Sequence, residues 1–225
     1  MTRSIHLALL LALMSSTALA GNSLYLEQSG GNATINIDQS GDNNTIGTNT
    51  TNANIIGSGS NLVITQIGLN NDLQFLIDGM NNDVTINQDG SLNTLDVSIG
   101  SYLGSDDVIA NIDFTGDSNT ANIAVGNTAA TSNANLTIAV TGDSNDLTVS
   151  DNSTSSSTTA KVTNIAISGD TNILTLGKTG AGLQMFTMTH VGNLGTFTLN
   201  QSGAIDNTAT ITTGGDNANV TITQH

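Results

Sequence analysis

The stretch Asp83-Val84-Thr85-Ile86-Asn87-Gln88-Asp89-Gly90-Ser91-Leu92-Asn93 narrows what the whole chain can fold into. Val84, Ile86 and Gln88 share one parity, and Thr85, Asn87 and Asp89 share the other. That is the period-2 signature of a strand with one buried and one wet face. Gly90 to Asn93 then supplies turn chemistry, since Gly takes φ > 0 freely and Asn tolerates the left-handed region. Variants of the unit return along the chain. Leu24, Leu26 and Gln28 precede Gly30; Ile35, Ile37 and Gln39 precede Gly41; Leu62, Ile64 and Gln66 precede Gly68. Leu73, Phe75 and Ile77 precede Gly79, Phe197, Leu199 and Gln201 precede Gly203, and Val220, Ile222 and Gln224 come near the end. Residues 45–61 are looser.

Gly68, Gly79 and Gly90 are spaced by 11 residues, which is room for one strand and one turn. Two such pieces bring the chain back to its start. In the middle, Gly116, Gly142 and Gly169 lie 26 and 27 residues apart, each opening a Gly-Asp-Ser/Thr-Asn turn. Alternating strands flank each turn, so one end of the unit keeps a tight turn. The other end carries a longer loop, such as Gly126–Asn133 or Asp151–Ala160. A lone two-strand unit cannot bury its apolar face, whereas stacked copies can. The spacing therefore predicts an all-β chain, a β-solenoid of stacked two-strand rungs. About seventeen strands make roughly eight rungs, in one repeat domain over 21–225 with cross-β spacing.

The Gln that ends the apolar face has inward parity. A buried amide is costly unless hydrogen-bonded, but amides stacked at the ~4.8 Å strand spacing can bond to one another as a ladder. The turn Asn residues are expected to do the same on the outside. The candidates for such ladders are Gln28, Asn32, Gln39, Asn44, Gln66, Asn71, Gln88, Asn93, Gln201 and Gln224. In the middle third the Gln position is held by Phe114, Val140, Ile167 and His190. There the stack is expected to lean on apolar burial, with ladder chemistry concentrated near the two ends.

Composition removes most other functions. The formal net charge is −15, from 18 acidic and 3 basic residues, which excludes a basic nucleic-acid footprint. With no Cys there are no disulfides, thiolate nucleophiles or Cys-ligated metals. No catalytic triad, distinctive carboxylate pair or phosphate loop leading into a helix is found, so neither an enzyme nor a small-molecule substrate or cofactor is expected. Residues 1–20 read as a secretory signal. Arg3 gives the positive start, Leu7 to Met14 the apolar run, and Ala18-Leu19-Ala20 the cleavage pattern. Cleavage leaves Lys161 and Lys178 as the remaining basic residues. No later stretch is long and apolar enough to span a bilayer as a helix.

Three sharper readings stand beside the plain ones. The Gly-Asp-Ser-Asn turns offer hard oxygen ligands for Ca²⁺, or are simply turn formers. The Thr-x-Thr pairs Thr196/Thr198, Thr208/Thr210 and Thr221/Thr223 offer an ice-binding array, or are ordinary outward strand residues. His190, at inward parity, offers a metal ligand or a core residue.

The repeat resembles that of curlins, the subunits of bacterial curli fibres, whose pattern is roughly Gln-x-Gly-x-x-Asn. The residues that carry the resemblance are Gln28-Ser-Gly30-Gly31-Asn32, Gln39-Ser-Gly41-Asp42-Asn43-Asn44, Gln66-Ile-Gly68-Leu69-Asn70-Asn71, Gln88-Asp-Gly90-Ser91-Leu92-Asn93 and Gln201-Ser-Gly203. The ending Val220-Thr221-Ile222-Thr223-Gln224-His225 is similar to a curlin strand. The match covers 22–100 and 196–225 and weakens over 101–195; the Gly-rich export segment of major curlins is missing. The resemblance implies export through an outer-membrane pore and extracellular assembly, with itself and with a second curlin-like subunit. The product would be an amyloid fibre of a biofilm matrix that serves surface adhesion. A rival expectation is a non-fibrillar secreted solenoid, an adhesin or ice-binder. A further one is a nucleator that seeds another subunit.

Overall fold

The computed structural model describes residues 21–47, 53–79, 81–99, 105–106, 109–116, 118–126, 131–132, 135–152, 161–180, 183–203 and 207–225. The signal read over 1–20 lies outside the described residues, as do most of the two long loops and Asp117 of the first Gly-Asp-Ser-Asn turn. Every described element is a strand, and all named strand pairings are parallel. The architecture is the β-solenoid expected from the repeat.

Two sheets face each other. The first stacks eight strands in chain order: Thr34–Ser40, Asn61–Ile67, Asp83–Asp89, Ile109–Thr115, Asn135–Thr141, Lys161–Ser168, Gln184–Val191 and Asn207–Gly214. The second runs Glu27–Ser29, Ala53–Ile56, Asp72–Asp78, Thr94–Ile99, Thr120–Val125, Asp146–Asp151, Ile173–Lys178, Thr196–Gln201 and Asn219–Gln224, with Thr45–Ile46 also beside Asp72–Asp78. Each rung passes from the first sheet through a tight Gly turn to the second, then returns by the opposite edge. Within the irregular 45–61 stretch, Thr45–Ile46 and Ala53–Ile56 lie beside the same strand: Ile46 pairs with Leu73 and Ala53 with Phe75. Ser105–Asp106 and Thr131–Ser132 pair with each other, extending the stack into the longer return loops.

Alternation is the reason for the two faces. Along Asp83–Asp89, Val84, Ile86 and Gln88 are buried while Asp83, Asn87 and Asp89 are exposed. In-register pairing then converts each inward position into a column. Ile37, Ile64, Ile86, Ile112, Ile138 and Ile165 stack one on another down the first sheet. Burying one such side chain stabilises by roughly 1.5–3 kcal/mol, and the column repeats the gain at every rung.

The tight turns fit only glycine at their first position. At Gly116 φ is +139°, and a Cβ there would stand 1.5 Å from the carbonyl oxygen of Gly90 in the rung before. Gly177, in mid-strand on the outer face, has nothing within 4 Å of a Cβ. Gly116→Ala is expected to cost about 2–5 kcal/mol through steric overlap and backbone strain. Gly177→Ala is expected to be neutral or stabilising by up to ~1 kcal/mol. Paired urea melts of the two variants check the contrast.

Candidate functional site

The stacking chemistry is concentrated in one buried column at the tight-turn corner. Asn44 Nδ2 donates to Asn71 Oδ1 (2.6 Å), Asn71 Nδ2 to Asn93 Oδ1 (2.8 Å) and Asn93 Nδ2 to Asn119 Oδ1 (2.8 Å). Asn119 continues to Asn145 and Asn145 to Asn172, each at 2.8 Å. Asn22 starts the run by donating to Asn44 Oδ1. The second N–H of most of these amides closes its own turn, as in Asn44 Nδ2 to Gly41 O (3.1 Å) and Asn172 Nδ2 to Gly169 O (2.6 Å). Asn44, Asn71, Asn93, Asn119, Asn145 and Asn172 are all buried.

This corrects two expectations. The turn asparagines are expected on the outside, where Asn70 Nδ2 does donate to Asn43 Oδ1 (3.0 Å); yet Asn44, Asn71, Asn93, Asn119, Asn145 and Asn172, each three residues after the Gly that opens its turn, are buried at the corner. Nor does ladder chemistry retreat to the chain's ends. It runs through the middle third, in the Gly-Asp-Ser/Thr-Asn turns, and stops where Gly195 and then Ala218 take the position. Asn32 is not part of it; it is exposed in a return turn.

The glutamines behave differently. They separate into two columns on opposite sheets. Gln39, Gln66 and Gln88 stack in the first sheet, and the column continues as Phe114, Val140, Ile167 and His190. Gln28 lies at the start of the second sheet, Gln201 and Gln224 at its end. All of the first group and Gln201 are buried, Gln28 is half-buried and Gln224 exposed. Gln88 Nε2 reaches Gln66 Oε1 only at 3.4 Å, and Gln39 Nε2 turns instead to Thr45 O at 3.1 Å. Gln66 Nε2 and Gln88 Oε1 have no hydrogen-bond partner. The strong amide bond is Gln224 Nε2 to Gln201 Oε1, 2.7 Å, at the last rung.

A second polar feature was missed by reading Asp151 as the first residue of a loop. It is the last residue of a strand, and its side chain is buried. Lys161 and Lys178 are fully buried with it. Asp151 Oδ1 lies 3.7 Å from Lys161 Nζ and Oδ2 lies 3.4 Å from Lys178 Nζ. Lys178 Nζ also donates to Thr163 Oγ1 (2.9 Å) and Met185 O (3.1 Å), and Lys161 Nζ donates to Thr179 O (2.6 Å). Burial pushes the Lys178 ammonium from 10.5 down to about 8, against the opposing pull of Asp151. Burial also lowers Lys161, again opposed by Asp151. Parity held the signal: Asp151 follows Leu147 and Val149, and Lys178 follows Leu174 and Leu176.

Elsewhere the turn carboxylates act as stacking acceptors. Asp143 Oδ1 takes the Asp170 N–H at 2.6 Å and Asp170 Oδ1 takes the Asn193 N–H at 2.5 Å. Among the described residues no group of three His or carboxylates is placed to hold a metal ion. His190 is a core residue, packed at a tilt of 55° against Phe197 with ring centroids 4.7 Å apart and with Nε2 at 3.2 Å from Gly169 O. Thr148, Thr175, Thr198 and Thr221 form a single outward column, flanked by Asp146 and Ile173 rather than by a second row of threonines.

The final rung lies open. Val220 and Ile222 are 37% and 47% exposed, and Asn207–Gly214 and Asn219–Gln224 each pair on one side only. Comparisons with protein-family models, with characterised proteins and with solved structures found no match.

Two predictions follow from the buried groups. Asn119→Leu takes an acceptor from the Asn93 side chain and backbone N–H and a donor from Asn145 Oδ1 and Gly116 O, at about 1–3 kcal/mol per group left without a partner. Gln66→Leu removes an amide that is already poorly bonded and is expected to cost under ~1 kcal/mol or to stabilise. Equilibrium urea unfolding of the two variants should rank them in that order. For Lys178 the folded state releases its proton first, so the unfolded state binds more protons between pH 8 and 10.5. Stability relative to Lys178→Met therefore rises across that window, by about 2–4 kcal/mol at its upper end. Denaturation midpoints at pH 7.5 and 10.5 measure it.

Proposed function

We propose that the chain is a secreted structural subunit that joins other copies end to end into extracellular fibres, as curlins do. The open final rung carries this reading. It is a complete two-strand layer with paired, in-register strands beneath it and half-exposed Val220 and Ile222 on top. Strand edges of this kind are templates for another chain. Among the described residues the ends lack the usual protections: the chain contains no Pro, and both of its lysines are buried in the core rather than set on an edge. A translated stack that does not close grows as a filament.

In this role the protein carries no reaction. It leaves the cell through an outer-membrane pore, works at the cell surface in adhesion and biofilm matrix, and has as partners its own copies and a second repeat subunit. A nucleator that seeds such a subunit uses the same open rung. A non-fibrillar solenoid is the second reading, favoured by the four-threonine outward column as a ligand face. Purified protein lacking residues 1–20 is expected to form thioflavin-positive fibrils with a 4.7–4.8 Å reflection along the fibre axis. Protein that stays monomeric for days at high concentration with seeds added refutes the fibre reading. A shortened lag when trace amounts are mixed with a second repeat subunit assigns it the nucleating role.

A further inference from the structure

The two sheets are unequal. The first holds eight strands, and the path of the second holds nine, so both outermost strands of the described chain belong to the second sheet. Consider a second copy added to the open rung. If Asn219–Gln224 pairs with the second copy's Glu27–Ser29, the second sheet continues, but the first sheet is left one strand short at the junction. Asn207–Gly214 and the second copy's Thr34–Ser40 then stand about two strand spacings apart, roughly 10 Å. Their facing N–H and C=O groups have no partner in that arrangement, which buried backbone does not tolerate. Both sheets continue only if one of the two outermost strands gives way.

The two strands are interchangeable in position. Successive pairings place Val220 in the column of Leu24, Thr223 in that of Glu27, and Gln224 in that of Gln28. Leu24-x-Leu26-x-Gln28 and Val220-x-Ile222-x-Gln224 present the same aliphatic, aliphatic, amide series. They are not equally held. The first is a three-residue strand and one isolated bridge, while the last pairs along six residues. Gln28 has only a local bond to Ser29 O at 3.3 Å, whereas Gln224 bonds to Gln201 at 2.7 Å.

Charge selects the ends as the place of contact. Among the described residues no Lys or Arg is exposed, so the flanks of two copies meet as acid on acid. The final rung carries a single described acidic side chain, Asp216, and displacing Glu27–Ser29 takes another away from the junction.

We propose that residues 24–29 form a displaceable plug, and that Asn219–Gln224 of a second copy replaces it when copies join. The inference rests on the self-assembly reading and adds its control step. Glu27 and Asn54 are direct cross-strand partners, and the chain has no Cys. Parallel neighbours about 4.8 Å apart suit a disulfide, so Glu27→Cys with Asn54→Cys locks the plug when oxidised and frees it when reduced. Seeded elongation, followed by thioflavin fluorescence on protein lacking residues 1–20, is expected to be at least tenfold slower for the oxidised form and restored by reductant. Circular dichroism of the oxidised form checks that it remains folded. In a second arm, fibres of Thr223→Cys mixed with Asn54→Cys are expected to cross-link between copies, and fibres of Thr223→Cys mixed with Glu27→Cys are not. Equal elongation of locked and reduced protein, or cross-linking of Thr223 to Glu27 instead of Asn54, overturns the plug and leaves self-assembly standing. No growth by either form or by the parent protein overturns both.

Discussion

A parallel, in-register stack sets each side chain about 4.8 Å from its counterpart in the next rung, and the structure depends on every column tolerating that neighbour. The asparagine column meets the requirement most fully. An amide is donor and acceptor at once, so a member can satisfy the rung on either side, and most also close their own turn through Gly O. The result fixes register at the corner. A one-residue slip of any strand would flip its apolar face to solvent and break two amide bonds. Ile columns supply most of the burial, yet they are indifferent to small shifts along the strand. The corner amides are not.

Acidic residues obey the same rule by avoidance. Within the strand pairings none is paired with another acid: Asp38 meets Thr65, Asp83 meets Asn61 and Ile109, Asp96 meets Gln74 and Asn122, and Asp113 meets Asn87 and Ala139. The diagonal approach of Asp72 and Asp96 already matters; burial raises the Asp72 carboxyl, and Asp96 raises it further. The Asp143–Asp170 stack in the turns is the exception, and there the upper backbone N–H binds the lower carboxylate. The buried Asp151, Lys161 and Lys178 group is the same problem solved inside. Asp151 sits directly under Lys178 in one column, with Lys161 arriving from the other sheet. Replacing such a group by apolar residues is often neutral or stabilising, while removing one partner is costly. The cluster therefore specifies which rungs stack there more than it strengthens them.

Much of this was legible from residue order. Parity of Val84, Ile86 and Gln88 gave the inward face, and the glycine spacing gave two-strand rungs, because both follow from backbone geometry that the chain repeats. Asn44, Asn71 and Asn93 were misplaced, and Asn119 was missed, because the side of a corner residue depends on the turn's φ values, not on strand parity. Ser118 and Ser144, both at φ 60°, show that the left-handed step does not need Gly or Asn. The glutamines Gln88 and Gln201 look alike in sequence and fall on opposite sheets, since a motif repeated every half-turn does not say which half it is in. Lys161 and Lys178 pass for surface residues until their parity is taken as seriously as that of leucine.

The charge distribution and the stacking chemistry together imply directionality. Among the described residues most carboxylates are on the flanks, and the lysines are locked in the core. Flank-to-flank contact thus brings like charges within a Debye length, about 8 Å at physiological salt, without a cation to offset them. The end layers carry amides, threonines and half-exposed aliphatics instead. Net charge of this size opposes compaction in general, but in a stack it acts sideways: each added rung spreads its acids along the axis, while the columns gain a neighbour at both ends. In the proposed assembly, growth along the axis would meet the least repulsion and make the most hydrogen bonds. Added salt should narrow the difference by screening the flanks, without changing the pairing at the ends.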